Sequence, residues 1–344
     1  MGRSDRRCCV EECVVLYGLA VFLLGLAATP IAIAAMSCVG VVDVPNERSS
    51  HERPTVRGAG VGVTIVAAVA LIVAGVVDVG EGLLAVGLGS AAYAVLGMAD
   101  DLLDLPALGR LPTQLVLGVG CVMALGTVQP WLLALAAGVA VAGYLNAYNF
   151  MDGINGISGL HAIGVGAAWA FAGSASDSAS AVVLGTVVAG AALAFLPYNF
   201  PEARGFLGDV GSYFFGGCIA IGAVALYGSI PTIVIVLPLT PYAADTGWTL
   251  FRRVRRGEIW HEAHREHVYQ RLLEVGWTHA SSALLMAGLT VLAGAGGLAV
   301  AYVTDGTVPR ALLVGAVAMS LVGYLFLPDV LRDTSDDLPS IVDA

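Results

Sequence analysis

The stretch GLLAVGLGSAAYAVLGMADDLLD (residues 82–104) begins as an apolar run and ends in three aspartates within five residues. A helix that crosses a bilayer needs about 20 consecutive, mostly apolar residues. Runs of this kind recur along the chain of 344 residues, of which 58% are hydrophobic and only 12% are charged, and the mean hydropathy is +0.84. This composition is too apolar for the solvated surface of a soluble domain. The sequence therefore predicts an all-α, polytopic integral membrane protein.

The apolar runs predict about eleven transmembrane helices, with ten as the alternative count. Two divisions between runs depend on Pro130 and Pro231 alone, because proline interrupts a helix. We assign residues 1–327 to a single transmembrane domain and residues 328–344 to an acidic cytoplasmic tail. The runs cover residues 14–38, 59–77, 82–98, 112–127, 130–147, 157–173, 180–196, 211–228, 230–247, 279–303 and 309–327.

All 16 basic residues are arginine, and the 26 acidic residues bring the net charge to −10. This balance argues against a nucleic-acid partner, which needs a basic face. Cytoplasmic loops retain basic residues, and most arginines share one side when the loop after the first run is placed inside. We therefore expect a cell-membrane protein with its N-terminus outside, its C-terminus in the cytoplasm and its function on the cytoplasmic face. The polar segments on that face are 41–58, 99–111, 148–156, 197–210 and 248–278.

The aspartates that follow the third run form the first candidate site. If the helix continues to Leu105, Asp100, Asp101 and Asp104 share one face, at a helix C-terminus where negative charge is unfavourable. A cation would compensate, and Mg²⁺ needs only one or two carboxylates besides substrate phosphates. The alternative is an acidic helix end that is satisfied by water and Arg110. The segment alone leaves both interpretations open.

Two further polar segments carry amides, glycines and acids. Asn146, Asn149, Asp152 and Asn155 recur every three residues, which predicts one side of a helical turn, although the two Asx-Gly pairs there are also typical of turns. Asp209 lies in the glycine-rich GFLGDVGS just before an apolar run. Alone, Asp209 is typical of an N-cap. A glycine-rich helix start also binds phosphate or a metal–phosphate group, and the carboxylate of Asp209 could reach the same cation as Asp100 and Asp101.

The segment after the ninth run is rich in histidine. His261, His264, His267 and Arg271 follow helical spacing, which predicts an amphipathic surface helix. Zinc is the rival interpretation of the paired histidines, but no cysteine or third ligand of suitable spacing accompanies them. We therefore favour recognition of phosphate by histidine and arginine.

The loop after the first run concentrates Arg48, His51 and Arg57 in and just after a stretch bounded by two prolines. An ordinary cytoplasmic loop accounts for the arginines, because basic residues collect on that side of the membrane. It does not account for the histidine. We add these three residues to the candidates that bind an anionic substrate.

Together these segments resemble the polyprenyl-phosphate N-acetylhexosamine-1-phosphate transferases of glycosyltransferase family 4. Five pieces in the family's order on one predicted membrane face make the resemblance specific. Two positions depart from the family pattern: Asn155 replaces a second aspartate of many relatives, so it can be neither base nor nucleophile, and Ala59 interrupts a glycine run. The pieces are Asp43-x-Pro-x-x-Arg48-x-x-His51-x-x-Pro54-x-x-Arg57-Gly, Asp100-Asp101-x-x-Asp104, Asn146-x-x-Asn149-x-x-Asp152-Gly, Gly208-Asp209-x-Gly211-Ser212 and His264-Arg265-x-His267-x-Tyr269-Gln270.

The resemblance implies that the transmembrane domain is a Mg²⁺-dependent glycosyl-1-phosphate transferase, with Mn²⁺ as a substitute metal. Its expected substrates are a UDP-N-acetylamino sugar such as UDP-GlcNAc and polyprenyl (undecaprenyl) phosphate in the membrane, and its products are polyprenyl-diphosphate-sugar and UMP. The form of the histidine segment is closer to the branch for O-antigen-type glycans than to the peptidoglycan-precursor branch. The resemblance also allows a homodimer. A transporter that uses the acids and arginines as an ion or substrate pathway is the alternative function.

The resemblance also implies roles for individual residues. Asp209 and one of Asp100 or Asp101 would hold Mg²⁺, while the other orients or deprotonates the lipid phosphate, and Asp152 is the third catalytic candidate. We expect the lipid phosphate to attack directly, without a phosphorylated enzyme. The expected substrate-binding residues are Arg48, His51, Arg57, Asn146, Asn149, Asn155, His264, Arg265 and His267.

Overall fold

The computed structural model describes residues 3–45, 53–259 and 264–336. Within these ranges the chain is helical apart from one pair of strands, each of two residues, and short connections. Strand β1 (Val42–Asp43) pairs antiparallel with β2 (Thr55–Val56). The helices are α1 (Arg3–Val39), α2 (Val61–Val76), α3 (Leu83–Leu103), α4 (Ala107–Leu125), α5 (Trp131–Met151), α6 (Ile157–Ala175), α7 (Ala179–Asn199), α8 (Gly208–Ala225), α9 (Thr232–Val236), α10 (Thr240–Arg255), α11 (Val268–Glu274), α12 (His279–Leu298) and α13 (Thr307–Asp336).

Seven helices among the described residues are long and apolar enough to cross a membrane: α1, α3, α5, α7, α8, α12 and α13. Helices α2 and α4 are shorter apolar helices. Each of the eleven predicted apolar runs overlaps helical residues. The prediction of an all-α, multi-pass membrane protein is confirmed, whereas the count of eleven spans and the orientation of the termini stay predictions.

The ninth predicted run, residues 230–247, is not one helix. Helix α9 ends at Val236, a 3₁₀ turn covers Leu237–Leu239, and α10 begins at Thr240. Pro238 and Pro241 lie at the starts of the turn and of α10, where a missing N–H costs least. The break divides the run into two short helices.

Helix α8 lies in the centre of the molecule, packed against α2, α3, α4 and α5. Its closest neighbour is α3, where a Cβ atom added to Gly97 would lie 2.1 Å from the carbonyl oxygen of Asp209. Backbones approach this closely only where side chains are absent. The packing brings the C-terminal end of α3, which carries Asp100 and Asp101, onto the N-terminus of α8.

Helix α13 continues past the predicted boundary of the acidic tail. It runs to Asp336 and includes Pro328, so the first part of segment 328–344 continues the last helix, and the assignment of this segment to a cytoplasmic tail stays a prediction. Asp329 forms an ion pair with Arg271 of α11. The end of α13 therefore helps to hold the segment that carries the predicted histidines.

Candidate active site

Asp101 caps the N-terminus of α8. Its side chain is fully buried, Oδ1 accepts a hydrogen bond from the N–H of Asp209 at 3.0 Å, and Oδ2 accepts one from the N–H of Val210 at 2.9 Å. The first N–H groups of a helix lack partners within the helix and carry partial positive charge. The interpretation of Asp209 as the N-cap is wrong, because Asp209 lies within the first turn and the capping carboxylate comes from α3.

Glycines allow this helix start to lie against the loop before α2. Gly58 and Gly208 have positive φ angles of 76° and 73°, which side chains disfavour. A Cβ atom on Gly208 would lie 2.6 Å from the Cα of Gly58 and 2.7 Å from Oδ2 of Asp101. Two hydrogen bonds fasten the segments together, from the N–H of Gly60 to the carbonyl of Leu207 at 3.1 Å and from the N–H of Ala59 to the carbonyl of Phe206 at 3.0 Å.

Arg57 bridges two of the predicted site acids. Its Nε lies 2.7 Å from Oδ1 of Asp101, and one of its terminal nitrogens lies 2.7 Å from Oδ2 of Asp209. Burial lowers the pKa of Arg57, but the charges of Asp209 and Asp101 outweigh it, and the pKa is raised overall. The permanently charged guanidinium reduces the repulsion between the two carboxylates.

Arg110 contacts the third acid. It forms an ion pair with Oδ2 of the buried Asp100, and the same oxygen accepts a hydrogen bond from the hydroxyl of Tyr213 at 3.1 Å. The same guanidinium nitrogen of Arg110 also lies 3.8 Å from Oδ2 of Asp209. Arg110 is thus a counter-ion of Asp100, as the interpretation of an ordinary acidic helix end expects. It also lies near Asp209, which the interpretation as a metal site requires.

Asp104 does not share the face of the other two acids. Helix α3 ends at Leu103, before the predicted limit, and Asp104 takes a left-handed conformation with φ of 51°. This conformation turns the chain away from the helix direction. The expectation that all three aspartates lie on one helical face is wrong for Asp104.

The four polar residues of segment 146–155 diverge, because α5 ends at Met151. Asn149 donates hydrogen bonds to Oδ1 of Asp209 at 2.7 Å and to the hydroxyl of Ser212 at 2.9 Å. Asn146 instead donates to the side chain of Gln114, and Asn155 donates to the carbonyl of Pro201. The expected common helical side is wrong beyond Met151, and the contacts of the described residues bring Asn149 alone of the three asparagines to the acid cluster.

Asp152 follows α5 directly and is half-buried. Burial, reinforced by the charges of Asp209 and Asp101, raises the pKa of Asp152 to about 8. A carboxyl group with this pKa exchanges a proton near neutral pH, as a catalytic acid or base must. The environment of Asp152 therefore suits the catalytic role predicted for it.

His267 and His264 lie beside the end of α5. The ring of His267 is 6.1 Å from that of Phe150 and 5.0 Å from that of His264, and the hydroxyl of Tyr269 donates to the carbonyl of Phe150 at 3.0 Å. Burial, together with the charges of His267 and Arg253, lowers the pKa of His264 to about 4. His264 is therefore neutral at pH 7.

The amphipathic helix predicted for residues 261–275 is not formed over that length. Helix α11 begins at Val268, and His264 and His267 precede it in extended or irregular backbone. Arg265, also before α11, is half-buried and its charge acts on Tyr269. His261 lies outside the described residues.

Arg48 and His51 also lie outside the described residues, so their predicted roles stay predictions. Within residues 3–45, 53–259 and 264–336, no group of three or more His, Cys, Asp or Glu side chains is arranged to hold a metal ion. The sparse oxygen set that Mg²⁺ needs beside substrate phosphates fits Asp100 and Asp209, which interact with each other. Both oxygens of Asp101 already accept backbone hydrogen bonds, so Asp101 is the less suitable ligand.

Two parts of the site were not identified from sequence as site residues. Arg110 was weighed only as a counter-ion, although its position after the acid cluster signals a partner. Ser212 and Tyr213 lie in the first turns of α8 and contact Asn149 and Asp100. No sequence pattern distinguishes these hydroxyls from core residues.

Known proteins resemble the chain over the part that holds this cluster. A family model described as glycosyl transferase family 4 matches residues 83–227, a range that contains α3 to α8. The chain is 28% identical over 279 residues to a probable undecaprenyl-phosphate N-acetylglucosaminyl 1-phosphate transferase of Bacillus subtilis, with 76% of this chain and 77% of the relative covered. It is 29% identical over 320 residues to a decaprenyl-phosphate N-acetylglucosaminephosphotransferase of Mycolicibacterium smegmatis, with 77% and 78% covered.

A shorter match extends the range of relatives. A phospho-N-acetylmuramoyl-pentapeptide-transferase of Clostridium novyi is 38% identical over 92 residues, which are 27% of this chain and 28% of the relative. The first two relatives match over most of their length, whereas this one matches over a small part. These matches confirm the resemblance drawn from the five sequence pieces.

Proposed function

We propose that this chain belongs to glycosyl transferase family 4, which it resembles, and that it transfers an N-acetylamino-sugar-1-phosphate from a UDP-sugar to a polyprenyl phosphate. The names of the relatives support a polyprenyl-phosphate sugar-1-phosphate transferase in the membrane. The observation that carries the proposal is the placement of Asp209. It lies at the N-terminus of α8, where Arg57, Asn149 and Arg110 surround it.

In the proposed reaction an oxygen of the lipid phosphate attacks the phosphorus that carries the sugar. The bond between this phosphorus and the oxygen of the UMP phosphate breaks, and the electron pair leaves with UMP. Polyprenyl-diphosphate-sugar is the other product, so both phosphates and the sugar are accounted for. Catalysis of phosphoryl transfer is mainly positioning and charge stabilisation.

The arginines are suited to this task because both reactants are anions. Arg57 and Arg110 contact carboxylates through guanidinium groups, and guanidinium binds phosphate with the same geometry as carboxylate. The nucleotide sugar can therefore take over nitrogen atoms that now contact Asp209. This exchange would bring the diphosphate to the N-terminus of α8, where backbone N–H groups also favour an anion.

Mg²⁺, or Mn²⁺ in its place, is the proposed cofactor, and Asp209 and Asp100 would hold it. Held by these two carboxylates, Mg²⁺ would supply positive charge to stabilise the charge that develops on UMP. We assign Asp101 a supporting part instead, because its oxygens hold the start of α8 and Arg57. Asp100 then also serves to orient the lipid phosphate.

Asp152 is proposed to handle the proton of the lipid phosphate. A phosphate monoester has a second pKa of about 6, below that of Asp152, so ionised Asp152 can accept its proton. Direct attack needs no covalent enzyme intermediate, because the monoester is itself a nucleophile. Asn155 offers no carboxylate for such an intermediate.

Further substrate contacts are proposed for the histidine segment. His264, His267 and Arg265 would bind the diphosphate or the sugar. Asn146 would act through Gln114 of α4, and Asn155 through the loop that carries Pro201. For the product we propose O-antigen-type or related cell-envelope glycans, with UDP-GlcNAc or a related 6-deoxy-amino sugar as donor. The N-terminus would lie outside and the site on the cytoplasmic face.

The test uses membranes that contain the full chain, polyprenyl phosphate, Mg²⁺ and labelled UDP-sugars. We expect release of UMP and a labelled lipid product whose formation tunicamycin blocks. Membranes with Asp209→Asn at equal expression are the matched control. Absence of product with every UDP-N-acetylamino sugar would contradict the proposal.

A transporter would need an acid near the membrane midplane, and Asp245 is the candidate for that position. Asp245 accepts hydrogen bonds from the N-terminus of α11, which also carries the histidine segment. Its partners thus connect Asp245 with the proposed active site.

A further inference from the structure

Asp245 of α10 is a fully buried carboxylate whose contacts are all hydrogen-bond donors. Oδ1 lies 2.9 Å from Nδ1 of His267 and accepts from the N–H of Val268 at 3.1 Å. Oδ2 accepts from the hydroxyl of Tyr324 at 2.6 Å and from the N–H of Tyr269 at 3.4 Å. A single side chain thus holds the start of α11, α13 and the ring of His267.

These contacts determine which nitrogen of His267 carries a proton. An ionised carboxylate can only accept hydrogen bonds, so Nδ1 of His267 must be the donor. The neutral ring then leaves Nε2 without a proton, and the charged ring presents Nε2–H. In both forms Nε2 is the nitrogen left for a ligand.

The segment that carries His267 is fixed from two other directions. Arg253 of α10 contacts Glu266 at 2.6 Å and donates to the carbonyl of Ile259 at 2.9 Å. On the other side, Tyr269 reaches the end of α5, where a Cβ atom on Gly153 would lie 2.0 Å from its hydroxyl. His267 therefore has a defined position beside the end of α5, which also carries Asn149.

We propose that Asp245 is a positioning residue of the transferase: it fixes the tautomer and the orientation of His267 so that Nε2 meets the diphosphate of the nucleotide sugar. The inference rests on the proposed function for the identity of the ligand. It does not rest on it for the Asp245–His267 pair, which the contacts define. Replacing the residue that orients a metal-ligating histidine typically lowers affinity or activity by about 10- to 100-fold, and we expect the same range for this phosphate-binding histidine.

The first test is Asp245→Asn in the full chain. An amide in either orientation turns its NH₂ group toward at least two of the donors that now meet Asp245, so the pairing with Nδ1 is lost or weakened. Nitrogen NMR of ¹⁵N-histidine-labelled protein at alkaline pH reports the tautomer. We expect the Nδ1–H form for His267 in the wild type and a shift toward the Nε2–H form in Asp245→Asn. An Nε2–H form in the wild type would overturn the inference.

The second test is a double-mutant cycle with His267→Gln, which lacks the Nδ1–H group. We expect Asp245→Asn to lower kcat/KM for the nucleotide sugar by about 10- to 100-fold, but by less than about 2-fold when His267→Gln is already present, because coupled residues are not additive. Equal losses in both backgrounds would show a merely structural role and overturn the proposal.

Tyr324→Phe is the matched control, because it removes one donor from the same carboxylate and leaves His267 in contact. We expect it to change kcat/KM by less than about 3-fold. Inactivity of the wild type with every donor would refute the proposed function alone, because the NMR result decides the Asp245–His267 pairing independently.

Discussion

The aspartates at the starts of α8 and α11 fall into two kinds, which differ in the groups that they contact. Asp245 accepts hydrogen bonds from backbone N–H groups of α11 and contacts the ring of His267. Asp101 likewise accepts hydrogen bonds from backbone N–H groups of α8. The carboxylate of Asp209 instead contacts side chains, and that of Asp100 contacts Arg110 and Tyr213 besides accepting one backbone hydrogen bond from Leu105. Arg57 and Arg110 are half-buried, so a substrate can bind them. Asp101 and Asp245, which each accept hydrogen bonds from two N–H groups at a helix start, therefore build the site, whereas Asp209 and Asp100 are available for its chemistry.

The largest expected effect on activity comes from Asp209→Asn. The amide cannot pair with Arg57 or Arg110 as a charge, and it is a poor ligand for Mg²⁺. We expect turnover to fall by at least about 1,000-fold with the protein still folded in the membrane. UMP release measures the loss, and a rate near that of the wild type would contradict the placement of Asp209.

Asp101→Asn is expected to abolish turnover as well, but for a different reason. It leaves N–H groups at the start of α8 and Arg57 with a poorer partner, which costs about 3 kcal/mol of folding free energy. Unlike Asp209→Asn, it should lower the thermal unfolding temperature in detergent by several degrees. An unchanged unfolding temperature would show that the cap does not stabilise the helix start.

A smaller effect is expected from Asp152→Asn, and it depends on pH. Transfer of the proton needs ionised Asp152 and a monoester that is still protonated, whose pKa is about 6. Wild-type kcat/KM for the lipid phosphate should therefore be level between about pH 6 and 8 and fall above the Asp152 pKa of about 8. The variant should lose activity by about 100-fold and lack this fall.

The same pKa has a consequence for stability. The folded state binds the proton more tightly than the unfolded state, whose pKa is near 3.9. Stability should therefore fall as the pH rises from about 4 to about 8, and Asp152→Asn should remove this part of the dependence. Parallel pH profiles for both proteins would contradict the assignment of a raised pKa to Asp152.

Asn155→Asp should have the smallest effect, although it restores the residue of many relatives. The side chain of Asn155 donates to the carbonyl of Pro201, and an aspartate loses that exposed hydrogen bond. We expect a change of less than about 5-fold in turnover, measured with the same UMP assay. A loss comparable to that of Asp209→Asn would place Asn155 in direct contact with substrate.

The class of fold follows from the sequence because apolar runs of membrane length are a strong signal, and the order of the five pieces indicates the family that the chain resembles. The ends of helices were harder to predict. Asp104 leaves the helix through a left-handed conformation, and α11 is limited to Val268–Glu274, because contacts with distant segments decide where each helix stops. Local spacing carries no information about such contacts.

The residues that contact the aspartates could not be predicted from the sequence either. Asp101 and Asp209 are 108 residues apart, and only the close packing of α3 on α8 shows that the first caps the helix of the second. For the same reason the sequence does not show the partners of Asp245. Its five donors come from α10, α11, α13 and the residue before α11.

The most direct test separates the aspartate that builds the site, Asp101, from the one that binds ligand, Asp209. It compares the thermal unfolding temperatures of wild type, Asp101→Asn and Asp209→Asn, each measured with and without Mg²⁺ and UDP-GlcNAc. Ligands that bind the folded state raise this temperature. We predict that Asp209→Asn unfolds near the wild-type temperature without ligand but gains nothing from it, whereas Asp101→Asn unfolds several degrees lower. A ligand-induced rise in Asp209→Asn equal to that of the wild type would contradict the central claim that Asp209 belongs to the binding site.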